Sequence, residues 1–149
     1  RSAPVLGAHV FTYGSLSFPS MVKAVTGRFP SNEVARLSGF ARFALVDRDY
    51  PGIVPCDGGE VPGRAYFDLA PAELERLDDF EGEEYRRERV PVVLAAGNVV
   101  DAFVYVIQPR YADLVTDAPW DPERFLESEL ANTLRHAQRW ADEDTHRDP

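Results

Sequence analysis

At 149 residues the chain is long enough for one domain with a single core, which at this size buries about 68–70% of the unfolded surface. A formal net charge of −9 opposes a nucleic-acid surface, because phosphate neutralisation needs clustered Lys and Arg, and the lone Cys56 excludes an internal disulfide framework and a cysteine-built zinc site. No apolar run approaches the ~20 residues of a membrane-spanning helix and residues 1–7 carry no signal-peptide pattern, so a cytoplasmic protein without membrane contact is expected.

In chain order, residues 8–13 form an apolar, β-rich run that predicts a buried strand, punctuated by Gly14. Residues 19–25 read as a short helix with Phe18, Met21, Val22 and Val25 on one side and Gly27 as its stop. Residues 34–46 predict a long strand with a bulge or bend at Gly39. Tyr50-Pro51-Gly52 and Asp57-Gly58-Gly59 read as turns flanking the short run Ile53-Val54, and residues 64–69 as a separate strand. Residues 71–77 predict a helix with Pro71 in its first turn and Leu74 and Leu77 at helical spacing.

Two further β-rich runs, residues 87–94 and 99–107, are joined by Ala96-Gly97-Asn98 as a hairpin turn. Within the first, Arg86-Arg87-Glu88-Arg89 reads as solvated alternate positions of a strand. Asp121-Pro122 predicts the cap of a final helix with the stripe Leu126, Leu130, Leu134, Ala137 and Ala141, and Trp120, Phe125 and Trp140 are expected to pack on the sheet. Strands dominate and several neighbours are antiparallel. The expected class is therefore α+β: a curled or barrel-like mixed sheet with short helices and a longer C-terminal one, forming one domain over residues 8–141 with flexible ends at 1–7 and 142–149. Oligomeric state stays open.

Two segments carry the chemistry. In Leu77-Asp78-Asp79-Phe80-Glu81-Gly82 an acid stands between an aromatic residue and a glycine, where a helix pattern gives way to a strand pattern. A carboxyl there can be lifted away from bulk water while the adjoining backbone stays open to a ligand. In Phe11-Thr12-Tyr13-Gly14-Ser15-Leu16 a strand runs into a glycine turn, whose N–H groups suit either an oxyanion or a carboxylate. Rival roles are weaker. Ser15 lacks the Gly-x-Ser-x-Gly elbow, Cys56 reads as a packed or half-exposed thiol, and His9, His136 and His146 lack metal-ligand spacing. Asp78 and Asp79 are expected to finish the helix or face water.

Tyr13-Gly14-Ser15-Leu16, Tyr50-Pro51-Gly52-Ile53, and Leu77-Asp78-Asp79-Phe80-Glu81-Gly82 followed by Tyr85-Arg86-Arg87 resemble, in this order and spacing, the gamma-glutamylcyclotransferase-like family. Within it, the gamma-glutamylamine cyclotransferases and avirulence-induced-gene-like proteins are the most similar subgroup. The resemblance runs over roughly residues 8–107 and leaves the C-terminal helix outside. It implies a small mixed β-barrel that releases 5-oxoproline from γ-glutamyl compounds. Glu81 would be the catalytic acid/base, and Tyr13, Gly14, Ser15 and Leu16 the substrate-holding turn. Gly82 would admit substrate beside the acid, and Tyr85 and Tyr105 would line the pocket. The implied partner is a small γ-glutamyl substrate, with no metal or organic cofactor. Residues 47–60 are expected to read the leaving amine. The alternatives are a binding module on the same scaffold without turnover, and a hydrolase using Ser15 or Cys56.

Overall fold

The computed structural model describes residues 8–48 and 50–123. Five strands, β1 (Ala8–Thr12), β2 (Asn32–Ala44), β3 (Pro51–Leu69), β4 (Tyr85–Leu94) and β5 (Val99–Ile107), close into a barrel in the order β1-β3-β2-β4-β5. Neighbouring strands run antiparallel except β1 and β5, which meet in parallel at Val10 and Phe103 and close the ring. The barrel-like mixed sheet with short helices is thus the architecture found.

Strand alternation divides the apolar residues between two cores. Phe11, Ala65, Val104 and Val106 join Leu37, Ile53, Val61 and Val92 inside the barrel, while their neighbours Val10, Tyr66 and Tyr105 turn outward to meet the helices. The outer core is covered by α1 (Pro19–Thr26) and α2 (Pro71–Glu81). α1 buries Met21, Val22 and Val25 and ends, as its sequence predicts, at Gly27 in the left-handed conformation.

α2 determines where the chemistry lies. Pro71 opens it, and Glu73 holds its first turn by accepting the Ala70 N–H at 2.8 Å and the Arg28 guanidinium at 2.7 Å. Leu74 and Leu77 are buried against the barrel, and Glu81 follows Leu77 by four residues on the same stripe. The helix that packs on the barrel therefore delivers its last side chain against it. It runs one turn past the expected 71–77 because Gly82, at φ 89°, supplies the cap, a backbone conformation that disfavours any residue with a Cβ.

The expected turn at Asp57-Gly58-Gly59 and the separate strand at 64–69 are corrected: residues 51–69 form one strand. Its ladder to β2 runs from Ala44↔Pro51 to Phe40↔Pro55, slips, and resumes at Ser38↔Glu60. Cys56, Asp57, Gly58 and Gly59 bulge opposite Gly39, so the glycines bend the strand without reversing it. Pro55 and Pro62 are tolerated because β1 pairs only with the later part of β3, leaving these residues on its unpaired side.

The hairpin between β4 and β5 turns at Gly97, at φ 99°. Beyond β5, residues 114–118 strap the end of β2: Val46 N–H bonds Leu114 O at 2.8 Å, and Ala44 N–H bonds Ala118 O at 2.9 Å. Asp121 Oδ1 accepts the Glu123 N–H at 2.9 Å, the cap that the sequence predicts. The rest of the expected helix, with Leu126, Leu130, Leu134, Ala137 and Ala141, lies outside the described residues, as do both chain ends, Phe125, Trp140, His136 and His146. Among the described residues no helix is long and apolar enough to cross a membrane.

Candidate active site

The end of β1 and the end of α2, far apart in sequence, line one small pocket. Tyr13, Gly14, Ser15 and Leu16 form one wall, Glu81 stands in it, and Tyr85 and Tyr105 come from β4 and β5. Seven of the eight predicted site residues are brought together. Gly82 is the exception: it is exposed, does not line the pocket, and ends α2.

The turn is built tightly. Ser15–Ser17 is a single 3₁₀ turn closed by Ser17 N–H on Gly14 O at 2.9 Å, with Ser17 Oγ on the same oxygen at 2.6 Å. Thr12 Oγ1 reaches across it to Leu16 O at 3.0 Å. In such a first turn the N–H groups of Ser15 and Leu16 have no intrahelical acceptor. A Cβ on Gly14 would lie 2.7 Å from Pro51 Cδ, so only glycine lets the turn meet the start of β3.

The tyrosine hydroxyl protons are all committed. Tyr13 donates to Tyr105 O at 2.5 Å, Tyr85 to Pro51 O at 2.6 Å, and Tyr105 to Asp78 Oδ1 at 2.7 Å. Any further hydrogen bond to these phenol oxygens uses them as acceptors. Burial raises the pKa of all three, so they stay protonated at neutral pH.

Glu81 is the lining carboxyl whose acidity is moved into the neutral range. Burial, followed by the negative charges of Glu84 and Asp78, pushes its carboxyl up to about 8. Asp78 is itself held by Arg87 at 2.8 Å, and Glu84 by Arg48 at 3.1 Å. The nearby cations are thereby bound to the neighbouring acids. Among the described residues that line the pocket, Glu81 is the one carboxyl.

Several participants escaped the sequence reading. Phe11, Thr12, Tyr50 and Pro51 also line the pocket, so Tyr50-Pro51 is wall, not merely a turn. Of the residues expected to read a leaving group, 51–60 lie in β3, and only Tyr50 and Pro51 reach the lining among the described residues. Asp78 does not simply face water: it accepts the Tyr105 hydroxyl, and its place three residues before Glu81 on one helix face was the available signal. Arg42, from β2, donates to Tyr13 O at 2.7 Å beneath the Trp120 ring. Cys56 is exposed in the β3 bulge, away from the lining, and no histidine lines the pocket among the described residues. His9 instead accepts the Asp68 N–H through Nδ1 and packs edge-on against Phe67.

Together these features define a small closed barrel bearing a pocket with a protonatable carboxyl on one side and a bare backbone turn on the other. Residues 10–122 match the model of the family described as gamma-glutamyl cyclotransferase, AIG2-like. AIG2-like protein D of Arabidopsis thaliana is 32% identical over 136 residues, covering 90% of this chain and 89% of that relative. Three other AIG2-like relatives from the same plant match over 85 residues, and the chain spans about half their length. A solution structure of an Arabidopsis thaliana protein superposes with a TM-score of 0.68 at 30% identity, covering 95% of this chain and 88% of that one. A solved gamma-glutamyl cyclotransferase shares the fold at 18% identity, with a TM-score of 0.59 over 88% of this chain and 86% of its own. The chain belongs to the gamma-glutamyl cyclotransferase, AIG2-like family.

Proposed function

We propose that this protein cyclises the γ-glutamyl unit of a γ-glutamyl amide to 5-oxoproline and releases an amine or amino acid, with Glu81 as general acid and base. The observation that carries this reading is a sheltered carboxyl, pushed up to about 8, facing the Tyr13-Gly14-Ser15-Leu16 turn across one pocket. Family membership supports the substrate class.

The α-amino group of the substrate must lose a proton before it can attack its own γ-carbonyl. An ammonium beside its own free carboxylate holds its proton more tightly than a chain α-amino group of pKa about 7.7–8.0, and gives it up to an ordinary carboxylate only at a steep cost. Raising the Glu81 carboxyl from 4.5 to about 8 removes about 5 kcal/mol of that cost. Nitrogen then attacks the carbonyl carbon, a C–N bond forms, and negative charge gathers on oxygen. The N–H groups of the turn suit that oxyanion or the substrate α-carboxylate. Collapse breaks the original C–N bond. Over the whole reaction two protons pass from the attacking to the leaving nitrogen, and one carboxyl can carry them in turn.

The phenol oxygens of Tyr13, Tyr85 and Tyr105, limited to accepting, suit the ammonium end of the substrate. The test is 5-oxoproline release from a panel of γ-glutamyl amides by the parent and by Glu81→Gln. Loss of at least ~10²-fold is expected in the variant. A folded variant that releases lactam at the parent rate removes Glu81 from the chemistry. A parent that binds 5-oxoproline but forms none from any amide is a binding module instead.

A further inference from the structure

The segment between β2 and β3 carries one pocket wall, Tyr50; among its described residues the backbone is tied at Leu45 and Val46 to the strap of residues 114–118 and more loosely beyond them. Leu45 makes an isolated bridge to Val115, Arg48 N–H reaches Leu45 O at 3.4 Å, and Asp47 sits at φ 57°. A non-glycine residue at that φ adds mild strain, so the segment must be held from outside. Two side-chain anchors do this. Tyr85 fixes one end by donating to Pro51 O at 2.6 Å. Glu84 holds the other: its Oε2 accepts both the Tyr50 hydroxyl and Arg48 Nε, each at 3.1 Å.

Glu84 does not line the pocket; Tyr50 does. The backbone of Glu84 is fixed in turn, since its carbonyl accepts the Gln108 N–H at 2.8 Å just beyond β5. A well-anchored carboxylate thus fixes the hydroxyl end of an aromatic wall whose ring packs against Tyr85 at 6.3 Å. We infer that Glu84 is a positioning residue of this site: by bonding Tyr50 and Arg48 through one oxygen, it holds the Tyr50 wall of the pocket against the bound γ-glutamyl unit. This rests on the cyclisation reading for the identity of that ligand, but not for the grip itself.

Without the grip the hydroxyl end of Tyr50 loosens while its ring keeps its packing against Tyr85, and substrate binds less tightly. The loss of the grip is therefore read in KM. Tyr50→Phe keeps the ring and loses its bond, Glu84→Ala loses both bonds, and Glu84→Gln keeps an acceptor oxygen. Both Glu84 variants also lose a charge that helps to lift the Glu81 carboxyl, so kcat shifts in both and their difference in KM reads the bonds: Glu84→Ala is expected to raise KM roughly tenfold, Tyr50→Phe to raise it less, and Glu84→Gln to recover most of the rise. Native-state hydrogen exchange at the amides of Asp47, Arg48 and Tyr50, with the strapped Val46 amide as the internal reference, gives a readout independent of turnover. It should quicken in Glu84→Ala and Tyr50→Phe and return toward the parent rate in Glu84→Gln. Parental exchange in Glu84→Ala overturns the inference, as does a KM unchanged in that variant. If the parent releases no 5-oxoproline, the cyclisation reading fails instead, and the exchange comparison still decides whether Glu84 holds the wall.

Discussion

Replacing Glu81 by Gln should stabilise the protein at alkaline pH while abolishing its proposed chemistry. In the folded state burial and the charges of Glu84 and Asp78 push the carboxyl from 4.5 to about 8. The folded protein therefore holds a proton that the unfolded chain has released, and folding stability falls as the pH rises from about 4.5 to about 8, then levels off. Each pH unit in that window costs about 1.4 kcal/mol, which sets an upper bound of about 5 kcal/mol above pH 8. Water at the pocket mouth screens part of this, so the variant should gain about 2–4 kcal/mol over the parent between pH 5 and pH 9. For a chain of this size that corresponds to roughly 10 °C in Tm. Urea unfolding at half-unit steps of pH, on both proteins, gives the difference directly. Parallel stability curves across pH 5–9 would refute the claim that Glu81 is a desolvated carboxyl, whatever the activity result.

Lactam formation by the parent should rise with pH toward about 8 in kcat/KM, once the substrate ammonium titration is divided out, because the carboxylate form of Glu81 takes the proton. A flat corrected profile from pH 6 to pH 9 in an active parent excludes it as the base. Gly14→Ala drives a Cβ to 2.7 Å from Pro51 Cδ; it should cost about 1–3 kcal/mol of stability and most of the activity, read by denaturation and 5-oxoproline assay. Asp78→Ala strands the Tyr105 hydroxyl and the Arg87 guanidinium, and a loss of about 1–2 kcal/mol in urea unfolding is expected. Leu77→Ala opens a cavity beneath the stripe that carries Glu81, for about 2–5 kcal/mol and a drop in turnover beyond what the unfolded fraction explains.

The elements that the sequence determined by itself are those set by local patterns. The α1 stripe of Met21, Val22 and Val25 with its Gly27 stop, the β4–β5 hairpin at Gly97, and the bend at Gly39 each follow from a few neighbouring residues, and each was legible. So were the glycine turn after β1 and the acid at the end of α2, because a glycine cap and a helical stripe are short-range signals. What they build together was not. Glycines that read as a turn at Asp57-Gly58-Gly59 became a bulge, since strand pairing with β2 on both sides outweighed local turn propensity. The supports of the site join residues 27, 29 and 34 positions apart: Asp78 with Tyr105, Arg42 with Tyr13, and Glu84 with Tyr50. A single sequence has no periodicity at such separations. Barrel closure brings those partners together, and the desolvation it creates, more than the neighbouring charges of Glu84 and Asp78, turns an ordinary glutamate into a carboxyl that holds its proton at neutral pH.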